Sequence, residues 1–189
     1  EEVSQLVLSG EALAGIFSGA ITSWDDERIL STNPLEFHRK LAGRKITVVV
    51  RNVPSSGTTE IFTTSLSAMC KDWESTLGPK PNVEDWLSRL PSSIRVTKTV
   101  ELFNMISNCH VRSLNCIAFA SFHDAQLNAV SQNALRIALM VNSAGRTIAA
   151  SPESLEAAMS DFSLLLGNAE QQGHTRLTGT LSNSETLRA

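Results

Sequence analysis

Ile46-Thr47-Val48-Val49-Val50, continuing into Arg51-Asn52-Val53-Pro54-Ser55-Ser56-Gly57-Thr58-Thr59, is the stretch on which the reading of this chain turns. Its first five residues are all β-branched and four are apolar, which predicts a strand buried on both faces of a parallel sheet. Beyond the loop, Phe62, Leu66, Met69 and Trp73 recur at i, i+4, i+7 and i+11 with polar residues opposite, the pattern of an amphipathic helix over 60–73. Strand, small-residue loop and helix therefore follow one another directly. A helix start carries unpaired backbone N–H groups and a partial positive charge, so it favours an anion. Gly57 lets the backbone approach a ligand, Ser56, Thr58 and Thr59 add hydroxyls, and Arg51 offers a planar fork suited to oxyanions. The competing reading is a well-capped helix with Gly57 at or near the cap and Glu60 closing it. The loop is not a Walker loop, because no Lys follows the glycine, and the serines lack the flanking glycines of a nucleophile elbow.

Upstream, Leu6-Val7-Leu8 reads as a short strand and Ser9-Gly10 as a helix entry, with Leu13, Ile16 and Phe17 on one face and Gly19 as the stop. Trp24-Asp25-Asp26 introduces a short helix through Leu30, Asn33-Pro34 breaks the chain, and a loop with Gly43 precedes the strand. Downstream, Gly78-Pro79 and Pro81 end the long helix, and 82–90 reads as a short helix stopped by Pro91. A further helix follows Thr97 or Thr99, with Val100, Phe103 and Ile106 facing inward. Ile117-Ala118-Phe119 and the run from Ala134 to Val141 read as strands, and Asn142 to Gly145 as a turn. Ser151-Pro152-Glu153 is a strong helix start, with Leu155, Met159, Phe162 and Leu166 as the buried stripe. Alternating strands and helices predict a three-layer α/β/α architecture on a mostly parallel sheet. The expected division is one lobe over 1–166 and a polar tail or linker over 167–189.

The bulk numbers fit one soluble domain: 189 residues, 42% apolar and 19% charged, with a formal net charge of -3. That balance points away from a nucleic-acid surface or a basic membrane-binding face. The basic cluster Arg39-Lys40 and Arg44-Lys45 brackets a turn and reads as a solvated rim. No stretch approaches the roughly 20 apolar residues of a membrane span. The start at Glu1-Glu2 lacks a signal peptide's basic region and apolar run, so the chain is expected to be cytosolic or an excised piece of a longer precursor. Cys109 and Cys116 either close a short disulfide loop, leaving Cys70 over, or all three cysteines are buried thiols; residue counts leave both readings open. They lack the paired spacing of a zinc site, and His38, His123 and His174 stand isolated, so no metal is expected. Asp25, Asp26 and Glu27 read as dipole and capping residues at a helix start, and Trp24, Trp73 and Trp86 as packing.

LVLSGEALAGIFSGAITSWDDERI at 6–29 resembles the hinge strand and following helices of the PstS-type phosphate-binding proteins of ABC importers. The order of that family continues in the Asn-Pro turn at 33–34, ITVVVR at 46–51, SGTT at 56–59, IAFASFHDAQLN at 117–128 and SAGRTIAASPESLEAAM at 143–159. The resemblance implies a periodic succession of strands and helices forming the second-lobe region of a periplasmic-binding-protein-like fold, type II. It implies a dehydrated phosphate held between two lobes, with Arg51 as the guanidinium contact and Ser56, Gly57 and Thr58 as hydroxyl and backbone donors. No catalytic residue and no cofactor are implied.

Three departures from the family pattern bear on function. The Asp-Gly that the family carries between its Arg and Ser-Gly-Thr is replaced by Val53-Pro54-Ser55 in a loop one residue longer, so the acid that braces the Arg is absent. A glycine- and asparagine-rich stretch is replaced by 90–97, and the first lobe has no counterpart. An open half-site cannot strip water from phosphate by itself and is expected to bind weakly, or only with a partner lobe, tandem repeat or other chain. The expected function is thus a non-catalytic solute-binding-type module for phosphate or a related oxyanion. The rival is a structural or interaction module of a larger extracellular assembly that has lost its ligand, and an enzyme acting on phosphate esters ranks last. The resemblance places the protein outside the cytoplasmic membrane, with no nucleic-acid partner and no membrane insertion.

Overall fold

The structure, a computed structural model, describes residues 5–131 and 135–160. The first elements are β1 (Val7–Leu8), α1 (Gly10–Ser18), α2 (Glu27–Leu30) and α3 (Leu35–Leu41). The Ser9 hydroxyl caps α1 by accepting the Ala12 N–H at 3.0 Å. Gly19 ends that helix at φ 80, where a Cβ would meet Arg89 O at 2.2 Å, so both the conformation and the space exclude a side chain. Asp26 caps α2, and Asn33 does more than break the chain. Its buried amide accepts the Val7 N–H at 2.9 Å and donates to Val7 O at 2.7 Å and Ile29 O at 2.8 Å, tying β1 to α2.

After these come β2 (Ile46–Arg51), α4 (Gly57–Met69), α5 (Lys71–Thr76), α6 (Glu84–Leu87), β3 (Ser93–Val96) and α7 (Thr99–Ser107). A short 3-10 turn at His110–Arg112 leads to β4 (Asn115–Ala118), α8 (Phe122–Ser131), β5 (Leu139–Val141) and β6 (Thr147–Ile148), and a helix is described over 152–160. Strands β3, β2 and β4 form one parallel sheet in that spatial order. A second sheet has the order β1-β5-β6, with β1 and β5 parallel and β5–β6 an antiparallel hairpin through Gly145. Three of the four strand pairings are parallel, which makes the sheet structure mostly parallel.

Alternation along β2 creates the layers. Val48 and Val50 enter the larger core with Leu8, Ile16 and Phe17 of the β1–α1 region, Leu66 of α4, Trp73 and Trp86. Val49 points the other way, into a smaller core with Val96, Leu102 and Phe103. The residues Ile46 to Val50 are all buried, and this is the burial on both faces that the β-branched run requires. Trp73 and Trp86 meet edge to face at 5.8 Å in the larger core, worth about 0.5–1.5 kcal/mol beyond their burial. The result is a single α/β/α lobe.

Several local expectations change. The helix expected over 60–73 breaks at Cys70, whose φ of -140 and ψ of 112 restart the chain as α5. Trp73 is buried from α5, whereas Met69 is 40% exposed, because the break ends the helical phase that linked them. Residues 93–96 carry no strand signal of their own, yet they form β3, and the stretch expected as a loop before Gly43 contains α3. No α3 residue is fully buried and only Leu41 packs against the core, so there is little apolar periodicity to read. On α7, Leu102 and Phe103 face inward while Val100 is exposed. The helix beginning at 152 presents Leu155 and Met159 to solvent instead of burying them; Phe162, Leu166 and the segment 167–189 lie outside the described residues. The cysteine alternatives resolve in favour of a Cys109–Cys116 disulfide with Cα atoms 6.1 Å apart, which leaves Cys70 as the free thiol.

Candidate functional site

The register of the β3-β2-β4 sheet brings three carboxyl ends together: Arg51 pairs with Val96, and Val49 with Ala118. The chain leaving each strand turns directly into a helix, so the starts of α4, α7 and α8 converge above one edge. In open parallel sheets this is the position where ligands bind. A cleft of about 300 Å³, counting solvent at its open mouth, lies there. Arg51, Ser56 and Thr58 line it from the first strand–helix unit, Thr99 from the second, and Phe119, Ser121 and Asp124 from the third.

Ser56 is the N-cap of α4, and its Oγ accepts the Thr59 N–H at 3.3 Å. It also accepts from Arg51 Nη2 at 3.4 Å, while Arg51 Nη1 donates to Thr99 Oγ1 at 3.3 Å. With both lone pairs of Ser56 facing N–H donors, its own O–H proton is left to donate. The guanidinium is thus positioned by two hydroxyls where the family's pattern would place a carboxylate. Those bonds are long, and hydroxyls do not cancel the charge, so Arg51 keeps an electrostatic demand that an anion could meet. The capping and anion readings of this loop are compatible, because Ser56 serves the helix and lines the cleft at once. Glu60 does not close the cap; the Ser56 N–H goes instead to Pro81 O at 3.1 Å.

The first-turn N–H groups of Gly57 and Thr58 precede the first possible intrahelical acceptor. A Cβ placed on Gly57 would meet nothing within 4 Å, so this glycine is not demanded by the protein's own packing. On the far side, Ser121 Oγ donates to Asp124 Oδ2 at 2.7 Å and accepts the Asp124 N–H at 3.1 Å, a reciprocal cap on α8. Asp124 is the carboxylate among the lining residues. Phe119, the aromatic ring lining the cleft, stacks on Phe62 with ring centroids 4.1 Å apart, and Phe17 packs edge-on to Phe62 at 4.8 Å, which backs the cleft with the larger core.

Of the residues singled out in the sequence, Arg51, Ser56 and Thr58 line the cleft, and Gly57 lies between the last two at the start of α4. Thr99, Ser121 and Asp124 were missed. Thr99 is one of the two candidate starts, Thr97 or Thr99, of a further helix, and Ser121 with Asp124 three residues on carries the spacing of a capping pair, but nothing local places either beside Arg51. Among the described residues no group of three or more His, Cys, Asp or Glu could hold a metal ion, and no helix is long and apolar enough to cross a membrane.

A family model described as a PBP superfamily domain matches residues 2–157. The phosphate-binding protein PstS of Xylella fastidiosa (strain Temecula1) is 30% identical over 187 residues, covering 95% of this chain and 46% of the relative. PstS of Methanocaldococcus jannaschii is 52% identical over 73 residues, 39% of this chain and 18% of that protein. Among solved structures, a DING protein superposes with a TM-score of 0.54 at 24% identity, over 84% of this chain and 42% of the other, a likeness of fold. The chain thus spans less than half the length of these relatives. With that family model matched along nearly the whole described length, the chain belongs to the PBP superfamily, and its relatives point within it to the PstS-type phosphate-binding proteins.

Proposed function

We propose that this lobe recognises phosphate or a related oxyanion without catalysis, weakly by itself or together with a second wall supplied by another lobe, repeat or chain. One observation carries the reading: Arg51, the Ser56 hydroxyl and the first turn of α4 face a single cleft at the carboxyl ends of three parallel strands. Arg51 supplies charge, Ser56 and Thr58 supply hydroxyl donors, and Gly57 leaves room for the anion to reach backbone N–H groups. Similarity to proteins named as phosphate-binding supports phosphate as the first ligand to try. The cleft opens to solvent, and an anion that keeps part of its hydration shell there gains little from each hydrogen bond. This is the physical basis for weak binding. Placement outside the cytoplasmic membrane belongs to the same reading and accords with the Cys109–Cys116 bridge, since disulfides persist in oxidising compartments.

Isothermal titration with inorganic phosphate tests the proposal. Binding in the millimolar range or tighter, abolished by Arg51→Ala with the fold intact, is the expected result. Absence of heat at millimolar phosphate, with wild type and Arg51→Ala indistinguishable, would sink it for the lobe alone; repeating the titration with the partner lobe present decides the cooperative form.

A second reading rests on Asp124. Its carboxylate shares the cleft with Arg51 and opposes an incoming anion, which favours a structural or interaction module whose ligand has been lost. If phosphate fails to bind both wild type and Asp124→Asn, this reading gains; if Asp124→Asn binds phosphate, the site is intact and merely tuned.

A further inference from the structure

The loop between β2 and α4 is held by a segment remote in sequence. Ser55 N–H donates to Asn82 Oδ1 at 2.7 Å, and Ser56 N–H to Pro81 O at 3.1 Å. Asn52 N–H donates to Val96 O at 2.7 Å, and the Asn52 side-chain amide donates to Glu84 Oε1, which also receives Arg95 Nη1 at 3.1 Å. Within this scaffold Ser55 stands at φ 51, in the left-handed region that side-chain-bearing residues enter only against a penalty. Something must hold it there. The left-handed turn at Ser55 comes just before Ser56, the residue that caps α4, so its conformation sets where that cap stands.

We propose that Asn82 is the positioning residue of the anion cleft: its side-chain oxygen locks Ser55 in the left-handed turn and thereby aims the Ser56 hydroxyl and the first turn of α4 at Arg51. Asn82 suits this role because the next residue, Val83, is completely buried along with Trp86, so the acceptor oxygen is anchored to the core. The Glu84–Arg95 pair is a weaker candidate. Both its side chains are 54% exposed, and Glu84 reaches the loop only through the Asn52 side chain, whereas Asn82 takes the backbone N–H of the left-handed residue itself. Where the sequence lacks an acid to brace Arg51 directly, Asn82 braces the loop that Arg51 leans on.

The affinity arm of the test rests on the phosphate reading; the exchange arm does not. Asn82→Ala should weaken phosphate binding by about tenfold, the scale of one lost hydrogen bond together with a released turn. Adding Ser55→Gly, which removes the left-handed penalty, should return affinity to within about threefold of wild type. Amide hydrogen exchange is read on the same proteins without ligand. Asn82→Ala should speed exchange at the Ser55 N–H and at the Thr59 N–H; Ser55→Gly should restore protection at Thr59 but not at position 55. Affinity and exchange unchanged in Asn82→Ala, or a loss that Ser55→Gly fails to repair, would overturn the proposal. If wild type binds no phosphate, the anion reading falls and the exchange pattern alone decides the role of Asn82.

Discussion

Strand β2 and the loop that follows it adjoin in the chain and are held in place by opposite means. From Ile46 to Val50 every residue is buried, with Val48 and Val50 in one core and Val49 in the other. From Asn52 to Ser56 little apolar surface is buried, and position is set by hydrogen bonds to Pro81, Asn82, Glu84 and Val96. Burial is non-directional and large, so the strand tolerates small displacements. The loop depends on a few directional bonds, each with a net worth of only about 0.5–1.5 kcal/mol. The lobe therefore places its anion-facing groups at the end of a deeply buried strand while leaving them individually easy to disturb. A mutation in the core should change stability, and a mutation in the loop should change ligand geometry.

The largest effect should come from the core. Trp73→Ala removes a side chain 1% exposed and its edge-to-face contact with Trp86, and should cost about 3–5 kcal/mol by urea denaturation. A loss below about 1 kcal/mol would mean that the larger core does not hold the lobe together in the way its burial indicates. Next comes the disulfide. Cys109 and Cys116 are separated by 7 in sequence, and they join the end of α7 to the start of β4. Removing the bridge by paired serine substitutions should cost about 2–3 kcal/mol. Thiol counting with and without reductant should find one free cysteine in the oxidised protein and three in the reduced one.

Smaller changes sharpen the contrast between strand and loop. Asp124→Asn removes a negative charge from the cleft and should tighten phosphate by a few-fold, about 1 kcal/mol, with a weaker salt dependence than a surface pair would show. Weaker binding instead would mean that the carboxylate accepts a proton from the ligand. Gly57→Ala should leave folding stability unchanged or raise it by up to about 1 kcal/mol, because the added Cβ meets open space and glycine is a poor helix former. Phosphate affinity should fall at the same time, since that space is where an anion would approach.

The smallest effect is electrostatic. Backbone N–H groups of Thr97 and then Lys98 hold the Glu101 carboxyl below its ordinary 4.5. Because the folded value is the lower one, this support for the α7 start is complete above the unfolded value and is lost as pH falls through the folded value. Glu101→Gln should therefore lower the neutral plateau of a stability–pH curve slightly and flatten its acid limb by the same amount, leaving stability below the folded value unchanged. A loss of stability at pH 7 larger than that caused by Asn82→Ala would reverse the ranking of these two supports, one at the start of α7 and the other at the start of α4.

How legible each region was follows from the same contrast. Strand β2, the caps at Ser9 and Asp26 and the stop at Gly19 were readable because their determinants are local: β-branching, a short polar side chain, the absence of a Cβ. The helix α3 was not, since no residue of it is fully buried and only its last residue, Leu41, packs against the core, which leaves too little apolar periodicity to read. Strand β3 was hidden because Ser93–Val96 is short and only Val96 of its residues is buried; pairing with β2 makes it a strand. The break at Cys70 escaped notice because the apolar spacing runs on to Trp73 across a change of helix. Arg51, Ser56, Gly57 and Thr58 could be picked out from the strand–loop–helix unit they share. Thr99, Ser121 and Asp124 belong to other units and became neighbours only through the register of three strands.

The sequence alone determined the buried central strand, the α/β class, the helix start that follows Ser56 and the family resemblance. These rest on side-chain shape and on spacings within about a dozen residues, which act before the chain folds back on itself. Only the tertiary structure decided which two hydroxyls hold Arg51, that a carboxylate shares its cleft, which cysteines pair, and that Asn82 reaches Ser55. Thr99 and Asp124 beside Arg51, and Asn82 beside Ser55, are contacts between segments far apart in the chain, whose geometry exists only once burial of β2 on both faces has fixed where those segments lie. The Arg51–Ser56 bond and the Cys109–Cys116 bridge span few residues but depend on the path the chain takes between them.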